Sequence, residues 1–515
     1  MISDFSVFLY YVLMAIAWVM TVYTLNFNYL SYMSIKNSEN YKIKKKMRLS
    51  VKTFPLVTIQ LPIYNERYVA GRLIQAICSM DFPKDRMEIQ VLDDSDDETA
   101  DIVETLVADY KKLGFNITSY HRLNRSGYKA GALKEGLKFA KGEFIAIFDA
   151  DFIPASDFLR KALGYFDDSR IGLVQGRWGH INEMYSILTK AQAVSLDFHF
   201  FIEQKAKSLT HLFMNFNGTA GVWRTLCIRD AGGWHTSTLV EDLDLSFRAQ
   251  MKGWKCIFDE DLVVNAELPV QMNAAKRQQF RWAKGSVQVA KKLLIVLLSH
   301  RKLPIDTKIQ IFIQLTKHII NPLFLIQFLI FPVLLLVNYQ MYDTAWAPAI
   351  GIVVYLLLGP ATYLFMIRKI WRENWKTKAL QYLFMIFYAT GISINNSVAI
   401  FDGMLGRSNE FLRTPKFGIM EKNQDWSGNK YALPFTKTTL LEMFFGAYGC
   451  MTIAISLLSG NPIFVPLIAL QTIGFIYVAY LSIVQSRNKT NNTGLFLGPS
   501  AKIGLQDVRA NDPLT

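Results

Sequence analysis

Acidic residues recur in this chain at the ends of short apolar runs. Asp93-Asp94 follow Ile89-Gln90-Val91-Leu92, and Asp149-Ala150-Asp151 follow Phe144-Ile145-Ala146-Ile147-Phe148. Carboxylates this close repel unless a cation lies between them. Hard oxygen ligands suit Mg2+ or Mn2+, with waters and phosphate oxygens completing the shell. Asp149 and Asp151 are therefore candidate metal ligands, and the same spacing also serves an acidic turn before Pro154. Asp93 and Asp94 can hold the base and ribose of a nucleotide, or belong to a helix start with Asp96, Asp97 and Glu98 in its first turn. Lys129, in Ser126-Gly127-Tyr128-Lys129-Ala130-Gly131, sits before a helix where a phosphate meets an ammonium and a helix N-terminus; an exposed lysine is the plainer use. Asp242, after Val240-Glu241, is a candidate general base for a hydroxyl or a simple cap of the helical Leu243–Met251. Asn217-Gly218-Thr219-Ala220-Gly221 is small enough to let an acceptor approach the backbone. Last comes Gln278-Gln279-Phe280-Arg281-Trp282. An indole face packs on a pyranose ring, and a guanidinium offers a fixed fork to phosphate or carboxylate. The alternative is an interfacial helix with a snorkelling arginine and a tryptophan at the headgroups.

These residues need a scaffold that gathers them. Val57-Thr58-Ile59-Gln60-Leu61-Pro62, Ile89–Leu92 and Phe144–Phe148 read as strands of near-continuous apolar character, separated by helical stretches. That pattern predicts a parallel α/β sheet, whose ligands bind beyond the carboxyl ends of the strands. Both acid clusters fall on that edge. The remainder is a different solvent problem. The chain has 515 residues, 51% hydrophobic yet 19% charged, which predicts a water-soluble domain joined to membrane spans. The net charge of +14 comes partly from clusters beside apolar runs (Lys42, Lys44, Lys45, Lys46 and Arg48; Arg368, Lys369, Arg372, Lys376 and Lys378), as in cytoplasmic membrane flanks rather than a nucleic-acid surface. Cys78, Cys227, Cys256 and Cys450 have no metal-ligand spacing and suggest a reduced, cytosolic setting.

Taken together, Asp94, Asp149-x-Asp151, Asp242 and Gln278-x-x-Arg281-Trp282 resemble, in order, the D, D, D, Q-x-x-R-W signature of inverting, membrane-integrated family 2 glycosyltransferases such as cellulose, mannan, hyaluronan and chitin synthases. Leu61-Pro62-Ile63-Tyr64-Asn65-Glu66, Val91–Ser95, Gly127–Gly136, Phe216–Arg224 and Ala231-Gly232-Gly233-Trp234 further resemble the plant cellulose-synthase-like A and C groups. The resemblance is strong over roughly residues 55–290. It implies an α/β GT-A domain inserted between transmembrane helices, with a Mg2+ or Mn2+ ion and a nucleotide-sugar donor. Asp149 and Asp151 would hold the metal and diphosphate. Pro62, Tyr64, Glu66, Asp93, Asp94 and Lys129 would hold the nucleotide. Asp242 would be the base. Asn217, Gly218, Thr219, Glu241, Gln278, Gln279, Arg281 and Trp282 would hold the acceptor, with Gln278, Arg281 and Trp282 also clamping the diphosphate. Ala283-Lys284-Gly285 departs from the plant pattern, which tends to Ser-Cys-Gly. The acceptor implied is a growing β-glycan or, in the rival reading, a lipid that takes a single sugar. Donor choice between GDP-mannose and UDP-glucose stays open, as does a homo-oligomer or accessory subunit.

The expected organisation is a transmembrane helix at 1–35, a cytosolic catalytic domain at 52–290, interfacial and transmembrane helices at 291–401, a cytosolic loop at 402–438, a transmembrane hairpin at 439–485 and a cytosolic tail at 486–515. Five spans are expected: Phe5–Tyr32, Ile309–Val337, Ala347–Ile367, Leu440–Leu458 and Ile463–Ile483. Ala290–Ser299 is too short to span and should lie in the interface, and Ala379–Phe401, with Ser393-Ile394-Asn395-Asn396-Ser397 inside it, should be interfacial or re-entrant. Basic flanks put the N-terminus outside and the catalytic domain and C-terminus in the cytosol, within a plasma or internal membrane. Phe411-Leu412-Arg413-Thr414-Pro415-Lys416 resembles the F-x-V-T-x-K gating loop of processive cellulose synthases, which implies that Thr414 and Lys416 close over the nucleotide.

Overall fold

The computed structural model describes residues 2–38, 54–336, 354–407, 410–460, 462 and 465–487. The basic run at 42–52, the connection 338–346, the start of the expected span at 347 and nearly all of the tail lie outside the described residues.

The soluble part is organised by one eight-stranded sheet: β1 Val57–Ile63, β2 Met87–Asp93, β3 Ile117–His121, β4 Phe144–Ile147, β5 Phe152–Pro154, β6 Ile171–His180, β7 Gly221–Arg224 and β8 Lys255–Ala266, in the order β3-β2-β1-β4-β7-β6-β8-β5. β3, β2, β1 and β4 run parallel, so the expected parallel core is present. β7 then enters antiparallel between β4 and β6, which makes the sheet mixed. The register places Ile63 beside Asp93 and Gln60 beside Ile147, so the segments after β1, β2 and β4 leave from the same edge.

Period-two alternation decides which side each residue covers. Ile59, Leu61 and Ala146 pack on one face with Leu73, Ile74 and Val103 from the helices Ala70–Cys78 and Thr99–Lys112. Ile145 and Ile147 pack on the other with Leu133, Trp223 and Leu245, roofed by the helices Tyr128–Phe139 and Glu241–Met251. Both faces are covered, so even the polar residues that alternate along β1 and β2 are buried and meet each other across the strands, Thr58 donating to Glu88 (2.5 Å) and Gln60 lying beside Gln90. β6 and β8 also carry buried polar residues, Gln175 and Asp259.

Among the described residues, five helices are long and apolar enough to cross a membrane: Asp4–Lys36, Ile305–Leu336, Trp375–Leu405, Thr438–Leu458 and Val465–Ser486. Four coincide with expected spans. The fifth differs: Trp375–Leu405 is one continuous 31-residue helix, so Ala379–Phe401 is not a broken re-entrant segment. Its polar centre is used against protein, since Asn395 donates to the Lys276 carbonyl (2.9 Å). Both of its ends touch the catalytic domain, through Lys378 with Glu183 (2.6 Å) and Asp402 with Lys284 (2.6 Å). Lys284, the residue that departs from the plant pattern, thus has an ionic partner on this helix. Ala290–Ser299 is not a separate interfacial helix either, but the end of the 28-residue helix Met272–Ser299.

That same helix carries Gln278, Arg281 and Trp282, and a second buried ion pair fixes it. Lys276, 2% exposed, meets Glu442, fully buried on Thr438–Leu458, at 2.6 Å, and donates further to Thr436 (3.1 Å) and Thr439 (3.3 Å). Removing one partner of a buried pair strands the other charge. Glu442→Ala is expected to cost about 3–5 kcal/mol of stability. Lys276→Met with Glu442→Met should cost far less, as read from unfolding midpoints in detergent.

Candidate active site

The site forms where the three parallel strands end. A cavity of about 160 Å3 is lined by Pro62, Tyr64 and Glu66 after β1, Asp94 after β2, and Asp149 and Asp151 after β4. Lys129, Asn217, Gly218, Glu241, Asp242, Gln278, Arg281, Trp282, Thr414 and Lys416 complete its walls. Segments more than three hundred residues apart in sequence, from Pro62 to Lys416, converge there.

Each carboxylate has a defined setting. Lys129 is no exposed lysine: its ammonium donates to Asp149 Oδ1 (2.5 Å) and to the Gly218 carbonyl (2.9 Å). Burial opposes its charge, but Asp149, Glu241 and Asp242 together raise its pKa. Asp149 is itself pushed up by burial against the pull of Lys129. Its amide N–H donates to Thr219 Oγ1 (2.9 Å), so Thr219 positions Asp149 instead of lining the cavity. Asp151 meets Lys416 at 2.7 Å. Glu66 is raised to about 7, chiefly by burial.

The two acids at β2 part company. Asp93 turns away from the cavity and accepts from the Ser95 amide (3.0 Å), with His121 Nδ1 at 2.9 Å. Asp94 faces the cavity, both oxygens held by Arg122 (2.7 and 2.6 Å). Neither caps the following helix. Glu98 occupies the cap position, and Asp97 just before it accepts from Thr99 N–H (2.9 Å).

Asp242 lies in the first turn of Glu241–Met251, one residue inside the helix and not at its cap. Its Oδ1 accepts from the Leu243 amide (2.8 Å), which leaves Oδ2 toward Gly218. Burial and then the neighbouring Glu241 raise its pKa to about 7. Gly218 has φ +83°, and a Cβ there would stand 3.0 Å from Asp242 Oδ2. Glycine is thus required by both backbone and space. Asn65, Tyr128 and Ala220, three non-glycine residues with positive φ, also flank the site, as strained backbone often does.

On the helix Met272–Ser299, Gln278, Arg281 and Trp282 fall at i, i+3 and i+4, which puts them on one face toward this cavity. Gln279 is rotated off that face and lines a second cavity of about 400 Å3, together with Trp282 and Ser286. The second cavity runs to Phe27, Lys317, Tyr363 and Ala389 of the apolar helices. Asn217, Asp242, Trp282 and Trp178 belong to both cavities.

The loop after Leu405 closes the first cavity. Phe411 lies under the Arg281 guanidinium (4.5 Å to the ring centre) and stacks with Tyr128 (5.9 Å). Glu267 accepts from the Phe417 (2.9 Å) and Gly418 (3.1 Å) amides, and Tyr431 and Lys430 reach Asp97 and Glu98. Glu267, Arg122 and Trp178 were missed in the sequence because no spacing marks them; only the folded register brings them in.

The donor set suits a hard cation. Lys129 and Lys416 engage Asp149 Oδ1 and Asp151 Oδ2, leaving the other oxygen of each carboxylate. Among the described residues no cluster of three His, Cys, Asp or Glu forms a complete cage. Mg2+ and Mn2+ tolerate this, because waters and substrate phosphates complete their shells.

Residues 55–285 match the model of the glycosyltransferase-like family 2. Glucomannan 4-beta-mannosyltransferase 9 of Arabidopsis thaliana is 34% identical over 425 residues, 79% of this chain and 76% of that one.

The chain belongs to the family 2 glycosyltransferases.

Glucomannan 4-beta-mannosyltransferase 1 of Oryza sativa subsp. japonica is 37% identical over 380 residues, 72% of this chain and 71% of the relative. Among solved structures, a mannosyltransferase from Pyrobaculum calidifontis in complex with GDP-Man and Mn2+ is 19% identical with a TM-score of 0.49, over 76% of this chain and all of that one. The transferase is an enzyme with a GT-A-like mixed sheet and five apolar helices flanking its catalytic domain. Gly218→Ala is expected to lower stability by roughly 1–2 kcal/mol, the cost of left-handed backbone for a side chain, and to slow transfer because its Cβ would press on Asp242 Oδ2 at 3.0 Å. A lowered unfolding midpoint together with initial rates that fall while the protein is still folded would check this.

Proposed function

We propose that this transferase moves a hexose from a nucleotide diphosphate sugar, GDP-mannose or UDP-glucose, to the end of a growing β-glycan, with inversion at the anomeric carbon. One observation carries the reading: Asp242 stands on the wall shared by two cavities, one lined by Asp149, Asp151, Lys129, Arg281 and Lys416 and one leading to the apolar helices.

Asp94 and Tyr64 line the first cavity where a nucleoside fits. Lys129, Arg281 and Lys416 converge near Asp149 and Asp151, where the diphosphate belongs, and the buried Thr414 hydroxyl has no partner among the described residues. A divalent ion bound at Asp149 and Asp151 would neutralise charge on the departing diphosphate. Trp282 offers its indole face to the acceptor ring. The acceptor hydroxyl gives its proton to Asp242 Oδ2 as its oxygen bonds the anomeric carbon; the bond from that carbon to the diphosphate oxygen breaks, and the electron pair leaves with the nucleotide. Arg281 and Lys129 stabilise that leaving charge. The second cavity then offers the elongated end a path toward the membrane helices. A lipid acceptor remains the rival. The relatives' description as glucomannan 4-beta-mannosyltransferases favours the glycan.

The direct test incubates purified protein with a panel of radiolabelled nucleotide sugars and Mn2+, then sizes the products. Polymer supports the proposal; a single sugar on lipid would sink it. Asp242→Asn is expected to abolish transfer and leave nucleotide-sugar binding largely intact. Equal loss of binding would remove it as base. A base raised to about 7 is unprotonated only above that pH, so kcat/KM should fall as pH drops through about 7. Glu241→Gln removes the like charge and should shift that acidic limb lower. Asp151→Ala should weaken Mn2+-dependent nucleotide binding, and unchanged affinity in a titration would take it out of the metal site.

A further inference from the structure

Asn217 has a peculiarity that its place in the wall does not explain. Its Oδ1 accepts from Asn215 Nδ2 (2.5 Å), with His199 Nε2 3.2 Å away on a ring whose Nδ1 faces the Glu203 carboxylate (3.1 Å). Its buried Nδ2 has no partner among the described residues. An amide can turn over at little cost when nothing fixes it, and which end faces a ligand then depends on its neighbours.

Here the neighbours do fix it, through a chain with one end that cannot reverse. Lys207, 2% exposed, has only donors, and its ammonium bonds Gln314 Oε1 (2.9 Å). Gln314 must then present Nε2 onward, and it donates to Asn215 Oδ1 (3.1 Å). Asn215 must in turn present Nδ2, which donates to Asn217 Oδ1. The last amide is left with its N–H groups outward. Asn217 borders both cavities beside Asp242 and Trp282. The backbone also holds it there, because its amide N–H donates to Gln175 Oε1 (3.0 Å).

We propose that the Lys207–Gln314–Asn215 chain orients Asn217 so that its side-chain N–H donates to an oxygen of the acceptor sugar, which makes Asn217 a specificity-determining contact and the other three its positioning residues. This rests on the glycan-transfer reading above. The ligand it selects has a hydroxyl or ring oxygen, an acceptor of hydrogen bonds, at the point where the sugar ring lies against Trp282. Gln314 belongs to the helix Ile305–Thr316, which continues into an apolar segment long enough to cross a membrane. The seat of that helix against the catalytic domain therefore sets the polarity of an acceptor contact. Lys207 and Gln314 serve no part of the transfer chemistry; the buried lysine has the Glu203 carboxylate as a neighbouring charge and spends its hydrogen bond on Gln314.

The test is Gln314→Glu, close in shape but unable to donate. A glutamate still accepts from Lys207 and then faces Asn215 Oδ1 with a second acceptor, so Asn215 and then Asn217 must turn over. With β-1,4-linked manno- and gluco-oligosaccharides added as acceptors, the acceptor KM should rise about tenfold, as for the loss of one buried hydrogen bond, with kcat within about twofold. Nucleoside diphosphate affinity and the unfolding midpoint should not move, as a merely structural defect would make them. Asn217→Asp, which offers only oxygens, should give a similar rise, and the double variant should be no worse than either single, because both remove one interaction. Lys207→Arg keeps the donors and should stay near the parent. An acceptor KM unchanged in Gln314→Glu while Asn217→Asp raises it overturns the chain; full additivity in the double variant overturns it too. If the parent protein moves no sugar to any oligosaccharide, the glycan reading falls, and this inference with it.

Discussion

The requirement that buried carboxylates be matched by cations governs this molecule. Glu66, Asp149, Asp151, Glu241 and Asp242 line one cavity of about 160 Å3. Such a set repels itself, and burial raises the pKa of Glu66, Asp149, Glu241 and Asp242. Lys129 comes from the helix after β3, Arg281 from the helix that joins the membrane half, and Lys416 from a loop far downstream. Each is drawn to the same negative centre. The electrostatics of the site thus hold three distant parts of the chain together. On the proposed reading the same cations would meet the diphosphate, so the groups that hold the cavity together are also those suited to stabilising the leaving charge.

The helix Met272–Ser299 translates that arrangement into a membrane enzyme. One face carries Gln278, Arg281 and Trp282 to the cavity. Lysines elsewhere on it are pinned by acids on two apolar helices, Lys276 by Glu442 and Lys284 by Asp402. A rigid rod tied at two points lets a site built on the sheet keep its register against helices whose own packing depends on lipid. Asp402 ends the helix that leads into the closing loop, so the tie also sets where Phe411 and Lys416 return to the site. Loop, rod and sheet are mechanically one unit.

The second cavity shows how reaction and exit can share a wall. Trp282, Asp242 and Asn217 each border both spaces. On the proposed reading, the sugar that has accepted a residue would leave through this space toward Phe27, Tyr363 and Ala389.

Much of this was legible in the sequence. Acids that follow mostly apolar strands were expected at the carboxyl edge of a parallel sheet, because strand type and order follow from local pattern, and Gln278, Arg281 and Trp282 were marked by their residue types and spacing. Four of the five apolar helices were legible as well, since length and composition suffice for them. The tertiary structure alone decided the rest. Asp93 and Asp94 are adjacent in sequence and alike in chemistry, yet strand alternation and the reach of Arg122 send only Asp94 into the cavity. Thr219 became a support for Asp149, and Gln279 turned to the second cavity. Trp375–Leu405 proved continuous because its asparagines found protein partners, which no hydropathy pattern records. Antiparallel β7, the anchoring of the loop by Glu267 and the amide chain to Asn217 are all contacts between residues distant in sequence. Local patterns specify which way a side chain faces along its own element; only the packed fold specifies what it meets there.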